Sequence, residues 1–437
     1  MATLSDNPEG VELEDFVAAH FLARGVFVET GVTERDPKDI LELDVVWTDY
    51  RQADAVRNPV EVKSREWHLG ELFKFFGWTR YLGLQPGIFV CRQLPTRISI
   101  DSIRRLADRM GIRVAHIGDL QTVDEHFHGL ELPTPANPTL PRLWRYSFWA
   151  QRRLLRALGI AIEKDVCPIS GRAAKDYAKL INDAVFFEPD VRSRVASLLD
   201  AHLRHRRWGR TAANETAGRG AIFEDPPACP DFGAALYRGL HFPVQACLYL
   251  AHRARLAILK TAVDYVLAGE RQDLPQQILQ VFDTTYDIND FAPYRAFVNS
   301  VEQLSNAPNF RLYPVFWQVF LWGWGGFLLK DRTEEESAAL SAQTGIPTHE
   351  IQTALGAFDL LFPMEGGWFA EPPGESRRLL KLMPAAMRGV GAFSRLSRYE
   401  RDEYDDLGYT DGTAHRLASD HNCGVRLLDA SDDELGR

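Results

Sequence analysis

The sequence predicts an α/β domain at the N-terminus, with a small mixed central sheet flanked by helices, followed by a mostly α-helical region. Three observations support this division. Short apolar strand-like runs alternate with helical runs up to about residue 130, which is typical of an α/β fold. Four prolines then fall between 131 and 141. Beyond them, long runs of helical periodicity dominate the chain.

The first domain is expected to begin with a helix that runs to Gly25, with Asn7 as its N-cap and Pro8 as its first residue. Further helices are predicted at 69–82 and 102–110. Strands are predicted where β-branched and aromatic residues cluster between turn-forming residues. These strands cover 26–29, 41–47, 60–63, 87–91 and 112–117.

The prolines divide the chain into predicted domains. The N-terminal domain is expected to cover 1–131, and 132–141 is expected to be a stiff Pro-rich linker. A helical, locally basic domain is predicted for 142–330, and a second helical region for 331–437. The total of 437 residues agrees with this division, because it is about three times the usual domain size.

Charge is unevenly distributed along the chain, whose formal net charge is −10. Residues 142–210 carry 15 Lys and Arg against seven Asp and Glu. Arg206 and Arg207 belong to a basic run at 204–210 near the end of this segment. Such a run can contact a phosphate backbone, and a solvated helix face is the alternative explanation.

Residues 334–362 have the pattern of a helix-turn-helix, with two helical runs separated by a turn that contains Gly345. Three consecutive acids, Glu334 to Glu336, lie in the first helix and would repel phosphate. A winged-helix-like unit that contacts another protein is therefore as good an interpretation as a DNA-reading unit.

Several classes of protein are disfavoured by what the sequence lacks. The five cysteines are scattered without a CxxC pair, so neither a disulfide framework nor a zinc cluster is expected. No GxxxxGK[ST] phosphate loop, no GxGxxG after a strand and no GxSxG elbow occurs. The N-terminus resembles no export signal, so a cytoplasmic protein is expected.

One segment, 312–329, has no formal charge over 18 residues, which is near the minimum length of a membrane span. Pro314, Gln318 and three glycines interrupt it, and Arg311 and Lys330 flank it. It is therefore predicted to form a pair of buried aromatic helices, and no membrane contact is expected.

A carboxylate on the first helix is expected to face the core. Glu14 is followed three, four, seven and eight residues later by apolar residues, so it shares their side of the helix. Glu12 and Asp15 are expected to be surface acids. A carboxylate directed at the core needs a cation or a metal, or it loses its charge.

Two of the predicted strands carry acids in otherwise apolar sequence. Asp44 lies in the first of them, and Glu61 and Lys63 share one face of the second because side chains alternate along a strand. Pairing of these strands would bring Asp44 next to Glu61, where two carboxylates repel unless a divalent ion lies between them. Oxygen ligands completed by water and phosphate suit Mg²⁺. A buried Glu–Lys pair that closes a sheet edge is the alternative.

Asp44 followed by Glu61-x-Lys63, after a helix with Glu14, resembles the PD-(D/E)XK nuclease superfamily, most closely Mrr-like restriction enzymes and Holliday-junction resolvases. Their helix reads roughly E-x-x-V-A-x-x-L-x-x-x-G, and this chain has EDFVAAHFLARG from Glu14. The one departure is at the leucine of the pattern, where this chain has Phe21 followed by Leu22. No proline precedes Asp44, and the Asp-Pro-Lys at 36–38 is interpreted as a loop. The resemblance covers residues 10 to about 120.

This resemblance implies a restriction-endonuclease-like fold and a metal-dependent phosphodiesterase. Asp44 and Glu61 would bind Mg²⁺, or Mn²⁺ in its place, together with the Val62 carbonyl. Lys63 would assist the attacking water, and Glu14 would support the site. Beyond these residues, Arg65 and Lys74 follow the second strand and are candidate nucleic-acid contacts, as are the arginines of the basic run.

The sequence therefore predicts a Mg²⁺-dependent endonuclease that acts on DNA, in prokaryotic defence against viruses, in restriction or in DNA repair. The C-terminal part would sense, recruit or oligomerise, with a homodimer or a protein partner as possible outcomes. An RNase or structure-specific nuclease is an alternative. So is a non-catalytic adaptor that keeps the nuclease fold to bind nucleic acid or protein, although the intact acids and Lys63 disfavour it.

Overall fold

The structure is a computed structural model of the chain, and it describes part of the sequence. The described residues are 4–34, 40–127, 132–138, 140–163, 185–188, 242–268, 299–329, 332–361, 369–370 and 377–380, with single positions between 190 and 198. They divide into two compact units. One lies within Thr3–Phe148 and Asn182–Phe187, and the other within Met1–Ala2, Trp149–Ile181 and Glu188–Arg437.

The N-terminal unit is an α/β domain with a five-stranded mixed sheet in the order β1-β2-β3-β4-β5. Its strands are β1 (Phe27–Glu34), β2 (Leu41–Thr48), β3 (Arg57–Lys63), β4 (Ile88–Cys91) and β5 (Arg113–His116). The first three strands pair antiparallel and the last three pair parallel. Its helices are α1 (Val11–Leu22), α2 (Gly70–Tyr81), α3 (Ile100–Asp108) and α4 (Val123–Phe127). The predicted α/β fold with a mixed sheet is confirmed.

Helix α1 begins later than the sequence predicts. Its N-cap is Gly10, whose φ of 52° suits glycine, and the first helical residue is Val11. Asn7 does not cap the helix, because its side-chain oxygen accepts a hydrogen bond from Arg92 Nη1 at 2.6 Å. The predicted cap at Asn7 and Pro8 is therefore wrong by one helical turn.

The parallel half of the sheet is buried on both faces. All four residues of β4 are buried, as expected for a central parallel strand covered by helices. One core cluster joins this strand to α2 and α3 and includes Trp67, Leu72, Phe75, Phe89 and Ile103. Because α2 packs here, its first turn is held beside the end of β3.

Helix α5 (Leu140–Glu163) follows the proline segment. The division between the two compact units falls within this helix, after Phe148. Arg145 on α5 lies over the Phe16 ring at 5.4 Å, so this end of the helix packs on α1. The predicted domain limits at 131 and 142 stay a prediction.

The described part of the second unit is mostly helical, as predicted. It contains α6 (Phe242–Leu267), α7 (Tyr313–Gln318), α8 (Thr333–Thr344) and α9 (Ile351–Leu361). Three short strands, β6 (Phe327–Leu329), β7 (Phe369–Ala370) and β8 (Arg377–Leu380), form an antiparallel sheet in the order β6-β8-β7. The sequence did not predict this sheet. None of the helices described is long and apolar enough to cross a membrane.

The segment predicted as two buried aromatic helices forms one helix and a strand. Helix α7 continues through the π-helical turn Val319–Gly323, and its residues are buried. Gly325 and Gly326 then adopt φ values of 71° and 70°, which end the helix and lead into β6. The prediction of a second helix in this segment is therefore wrong.

The predicted helix-turn-helix corresponds to α8 and α9. Gly345 caps α8 in the left-handed conformation with a φ of 79°, as the turn requires. Its use as a winged-helix-like unit stays a prediction. The basic run with Arg206 and Arg207 lies outside the described residues, as does the Asp-Pro-Lys at 36–38.

Gly87, just before β4, lies close to the backbone of Pro59 in β3 and to the side chain of Phe75 in α2. A Cβ atom at this position would lie 2.0 Å from the Pro59 carbonyl oxygen and 2.8 Å from the Phe75 ring. We expect Gly87→Ala to lower the free energy of unfolding by about 3 kcal/mol, because the β3–β4 pairing must separate to admit the methyl group. Chemical denaturation measures this change.

The control for this variant is Gly77→Ala, in α2, where none of the residues that the structure describes comes within 4 Å of the added Cβ. This change should stabilise the protein by up to about 1 kcal/mol, because alanine favours a helix over glycine. Equal stability of the Gly87→Ala and wild-type proteins would contradict the described contact between β3 and β4.

Candidate active site

The pairing of β2 with β3 places two acids side by side. Val45 lies opposite Val60 in this antiparallel pair, so continuing the register by one residue sets Asp44 opposite Glu61. Here the acceptor is a side chain and not a backbone carbonyl. The Val62 N–H donates a hydrogen bond to Asp44 Oδ2 at 2.7 Å. The strand pairing therefore brings together the two carboxylates that the sequence singles out.

Glu61 is the most deeply buried acid of this group, with 2% of its surface exposed. Its Oε1 accepts a hydrogen bond from Lys63 Nζ at 2.5 Å. Its Oε2 is buried and has no hydrogen-bond partner among the described residues. Burial raises the pKa of Glu61, although the nearby Lys63 opposes the shift. One oxygen of Glu61 is thus left for a ligand.

Asp44 is the more strongly perturbed of the two acids. Its pKa is raised well above the usual range, first by burial and then by repulsion from Glu61 and Glu14. The Val62 N–H and the Lys63 ammonium oppose this rise without cancelling it. The site therefore holds more negative charge than its own cations balance.

Lys63 is the cation closest to this charge. Burial alone would lower the pKa of its ammonium, but the carboxylates of Glu61, Asp44 and Glu71 outweigh burial and raise the pKa. Lys63 is therefore charged at neutral pH. In this state it is a hydrogen-bond donor and cannot accept a proton.

Glu71 is a member of the site that the sequence analysis missed. It lies in the first turn of α2, and its Oε2 is 3.7 Å from Lys63 Nζ and 3.8 Å from Lys74 Nζ. The available signal was an acid at the start of the helix that follows the Glu61-x-Lys63 strand. That signal alone is weak, because acids are common in the first turn of any helix.

Glu14 is half-buried, so it is less enclosed than the predicted core-facing carboxylate, but it is close enough to Asp44 to raise its pKa. The expectation for Asp15 is wrong, because this acid is buried, with 6% of its surface exposed. The reason is α5, which covers the other side of α1. Asp15 acts electrostatically on Arg145 of that helix. The sequence of α1 alone gave no sign of a second covering element.

The two predicted nucleic-acid contacts of this unit lie at different distances from the acids. The Arg65 side chain is 80% exposed and pairs with Glu9 Oε2 at 3.1 Å, an exposed ion pair that is worth little in water. Lys74 lies close enough to lower the pKa of Glu61. Its Nζ is also 4.4 Å from the centre of the Trp78 ring. Lys74 therefore belongs to the site's surroundings, and Arg65 lies at its exposed edge.

The residues present fit a hard divalent cation in part. No group of three or more His, Cys, Asp or Glu side chains with metal-site geometry occurs in the described regions. The chain offers instead the unpartnered Glu61 Oε2, the Asp44 carboxylate and a backbone carbonyl. Val62 directs its N–H to Asp44, and in a strand the C=O of the same residue points to the same side. Magnesium suits such a sparse set, since it keeps several water ligands.

Comparison with protein-family models, curated proteins and solved structures gives no match to this chain. The resemblance to the nuclease superfamily stays a prediction from the sequence.

Removing one of the crowded charges should stabilise the protein at neutral pH. A folded-state pKa above the unfolded value means that the native state holds the extra proton. Wild-type stability therefore falls as the pH rises from the ordinary Asp range through the raised pKa of Asp44. We expect Asp44→Asn to remove this fall and to add about 0.5–2 kcal/mol to the free energy of unfolding at pH 8 in EDTA.

Urea denaturation at several pH values measures this difference, which should shrink toward pH 4 as the wild-type carboxyl becomes protonated. Glu42→Gln is the matched control, because Glu42 is an exposed acid on the same strand. A loss of stability in Asp44→Asn at pH 8 would show that the repulsion between the acids is not the dominant effect.

Proposed function

We propose that this protein is a metal-dependent nuclease that hydrolyses phosphodiester bonds, with DNA as its substrate and Mg²⁺ as its cofactor. The observation that carries the proposal is the pair of adjacent carboxylates, Asp44 and Glu61, beside the ammonium of Lys63. Burial raises the pKa of both acids, and repulsion from Glu61 and Glu14 raises that of Asp44 further. One oxygen of Glu61 has no hydrogen-bond partner in the described residues.

A buried ion pair alone does not account for this arrangement. Lys63 with Glu61 would form a complete pair, and a second acid opposite it adds repulsion. Glu14 adds still more negative charge. Strained ionisable groups of this kind are concentrated at functional sites. A cation that binds between Asp44 and Glu61 would relieve the strain, so the destabilising feature supports a binding role.

Asp44, Glu61 and the Val62 carbonyl would hold the ion. When bound, Mg²⁺ supplies an activated water and neutralises charge on the phosphate. Lys63 is charged at neutral pH, so we propose that it orients this water or the scissile phosphate by donating hydrogen bonds. Glu61 and Glu71 position its ammonium. Glu14 keeps the local potential negative, which favours a cation.

The described helices of the second unit are proposed to sense, recruit or oligomerise. A nuclease domain with a long appended region suits a role in prokaryotic defence or DNA repair.

Plasmid cleavage tests the proposal most simply. We expect the full chain to cut DNA in Mg²⁺ or Mn²⁺ and to be inactive in EDTA. Lys63→Ala and Glu61→Gln should each lower the rate by at least about 100-fold. Glu66→Gln is the control, because Glu66 is an exposed acid three residues after Lys63 and bonds to Thr96 on the surface. It should keep the wild-type rate.

Parallel reactions with single-stranded DNA and with RNA distinguish the substrate classes. Cleavage of RNA alone would replace the DNA assignment with that of a ribonuclease. If folded protein cuts no nucleic acid, or if Lys63→Ala cuts at the wild-type rate, the proposed chemistry at Glu61 and Lys63 is wrong.

A further inference from the structure

The outer face of α2 carries aromatic side chains that the described residues leave exposed. Phe73 is 55% exposed and Tyr81 is 64% exposed, which is unusual for large hydrophobic residues. They lie on the side of the helix opposite its buried residues, Leu72, Phe75 and Thr79. Because they are eight residues apart, both belong to the same ridge of the helix.

Gly77 lies midway between these two rings on the same ridge. It is exposed, and no atom of the described residues lies within 4 Å of the position that its Cβ would occupy. Glycine in the middle of a helix destabilises it relative to alanine. The open space above Gly77, between the two rings, is therefore a feature that helix formation alone does not favour. We call this space the gap.

The gap has the size of a small aromatic stack. At about 1.5 Å per residue, Phe73 and Tyr81 are separated by about 12 Å along the helix axis, and stacked bases are spaced by roughly 3.4 Å. One or two flat rings can therefore lie between the two side chains, over Gly77.

After Glu71 in the first turn, the charged side chains of α2 are all cations. Residues 72–100 contain no Asp or Glu, although the whole chain is acidic. On α2, the guanidinium of Arg80 lies 5.2 Å from the centre of the Phe76 ring, and Lys74 lies over Trp78. Cations interleaved with exposed aromatic rings are typical of surfaces that bind single-stranded nucleic acid.

The same helix leads directly from the candidate active site. Glu71, in its first turn, is 3.7 Å from the ammonium of Lys63, and Phe73 is two residues further on. Lys74, an exposed residue of α2, has its Nζ 3.8 Å from Glu71 Oε2, so the exposed side of the helix begins beside the candidate active site.

We propose that the face formed by Phe73, Lys74, Gly77, Arg80 and Tyr81 binds an unpaired segment of single-stranded DNA, with its bases stacked on the two exposed rings. This inference rests on the proposed nuclease function and names its substrate class: DNA with a single-stranded region next to the cut. Duplex DNA presents its bases stacked inside the helix, so it has no free ring faces to offer Phe73 and Tyr81.

Binding in EDTA tests this proposal without cleavage. The full chain is titrated into a fluorescein-labelled dT12 strand, a 12-base-pair duplex and a U12 strand, and anisotropy is recorded. Wild-type protein should bind dT12 more tightly than the duplex. The double change Phe73→Leu and Tyr81→Leu keeps apolar volume but removes the flat rings, and it should weaken dT12 binding by at least about tenfold. Tyr81→Phe keeps the ring and should bind like wild type.

Gly77→Leu provides a test that does not depend on a destabilised variant. Leucine favours the helix, so the thermal midpoint should not fall, while its side chain fills the gap between the rings. We expect dT12 binding to weaken by at least about fivefold. Ile40→Ala is the control, because Ile40 is an exposed apolar residue outside α2. It should leave dT12 binding unchanged.

Several results would overturn the inference. Wild-type affinity of the double variant or of Gly77→Leu for dT12 would show that the face does not stack bases. Tighter binding of U12 than dT12 would remove the assignment to DNA. A wild-type dimer that becomes monomeric in the double variant would make the face a contact between copies. Since binding is measured in EDTA, failure to cut plasmid DNA counts against the metal site alone.

Discussion

The antiparallel register between β2 and β3 is the constraint on which the rest of the site depends. It sets Asp44 opposite Glu61, and the hydrogen bond from the Val62 N–H fixes the Asp44 carboxylate in that place. Burial makes the resulting repulsion costly, and the ammonium groups of Lys63 and Lys74 offset only part of it. A fold selected for stability alone would place apolar residues here. The acids therefore support the proposed binding role of this part of β2 and β3.

Helix α2 connects this charged centre to the surface. Its buried side holds it to β4 and α3, so the position of its first turn beside Lys63 is fixed by the core. Its outer side is free to carry Phe73 and Tyr81 without affecting that packing. One rigid element thus supports both the proposed chemistry and the proposed contact with single-stranded DNA, which is a suitable basis for precise placement of a substrate.

The sequence predicts features that depend on local pattern. Alternation of side chains put Glu61 and Lys63 on one face, and helical spacing put Glu14 on the core side of α1. Features that depend on distant packing were not predictable. Asp15 was taken for a surface acid because its burial requires α5, more than 120 residues away. The cap of α1 was misplaced because Arg92 engages Asn7, and β6 was missed because its partner β8 lies about 50 residues later.

Calorimetric titration of Mn²⁺ into the full chain tests the central claim most directly, because it asks whether the paired acids bind a cation. We predict binding to the wild-type protein with proton release. The raised pKa of both acids favours their protonated forms, and the ion displaces these protons into the solvent when it binds. The measured heat should therefore depend on the ionisation enthalpy of the buffer. Asp44→Asn should abolish the binding, and Glu66→Gln should retain it. Absence of binding to folded wild-type protein, or equal binding to Asp44→Asn, would contradict the account.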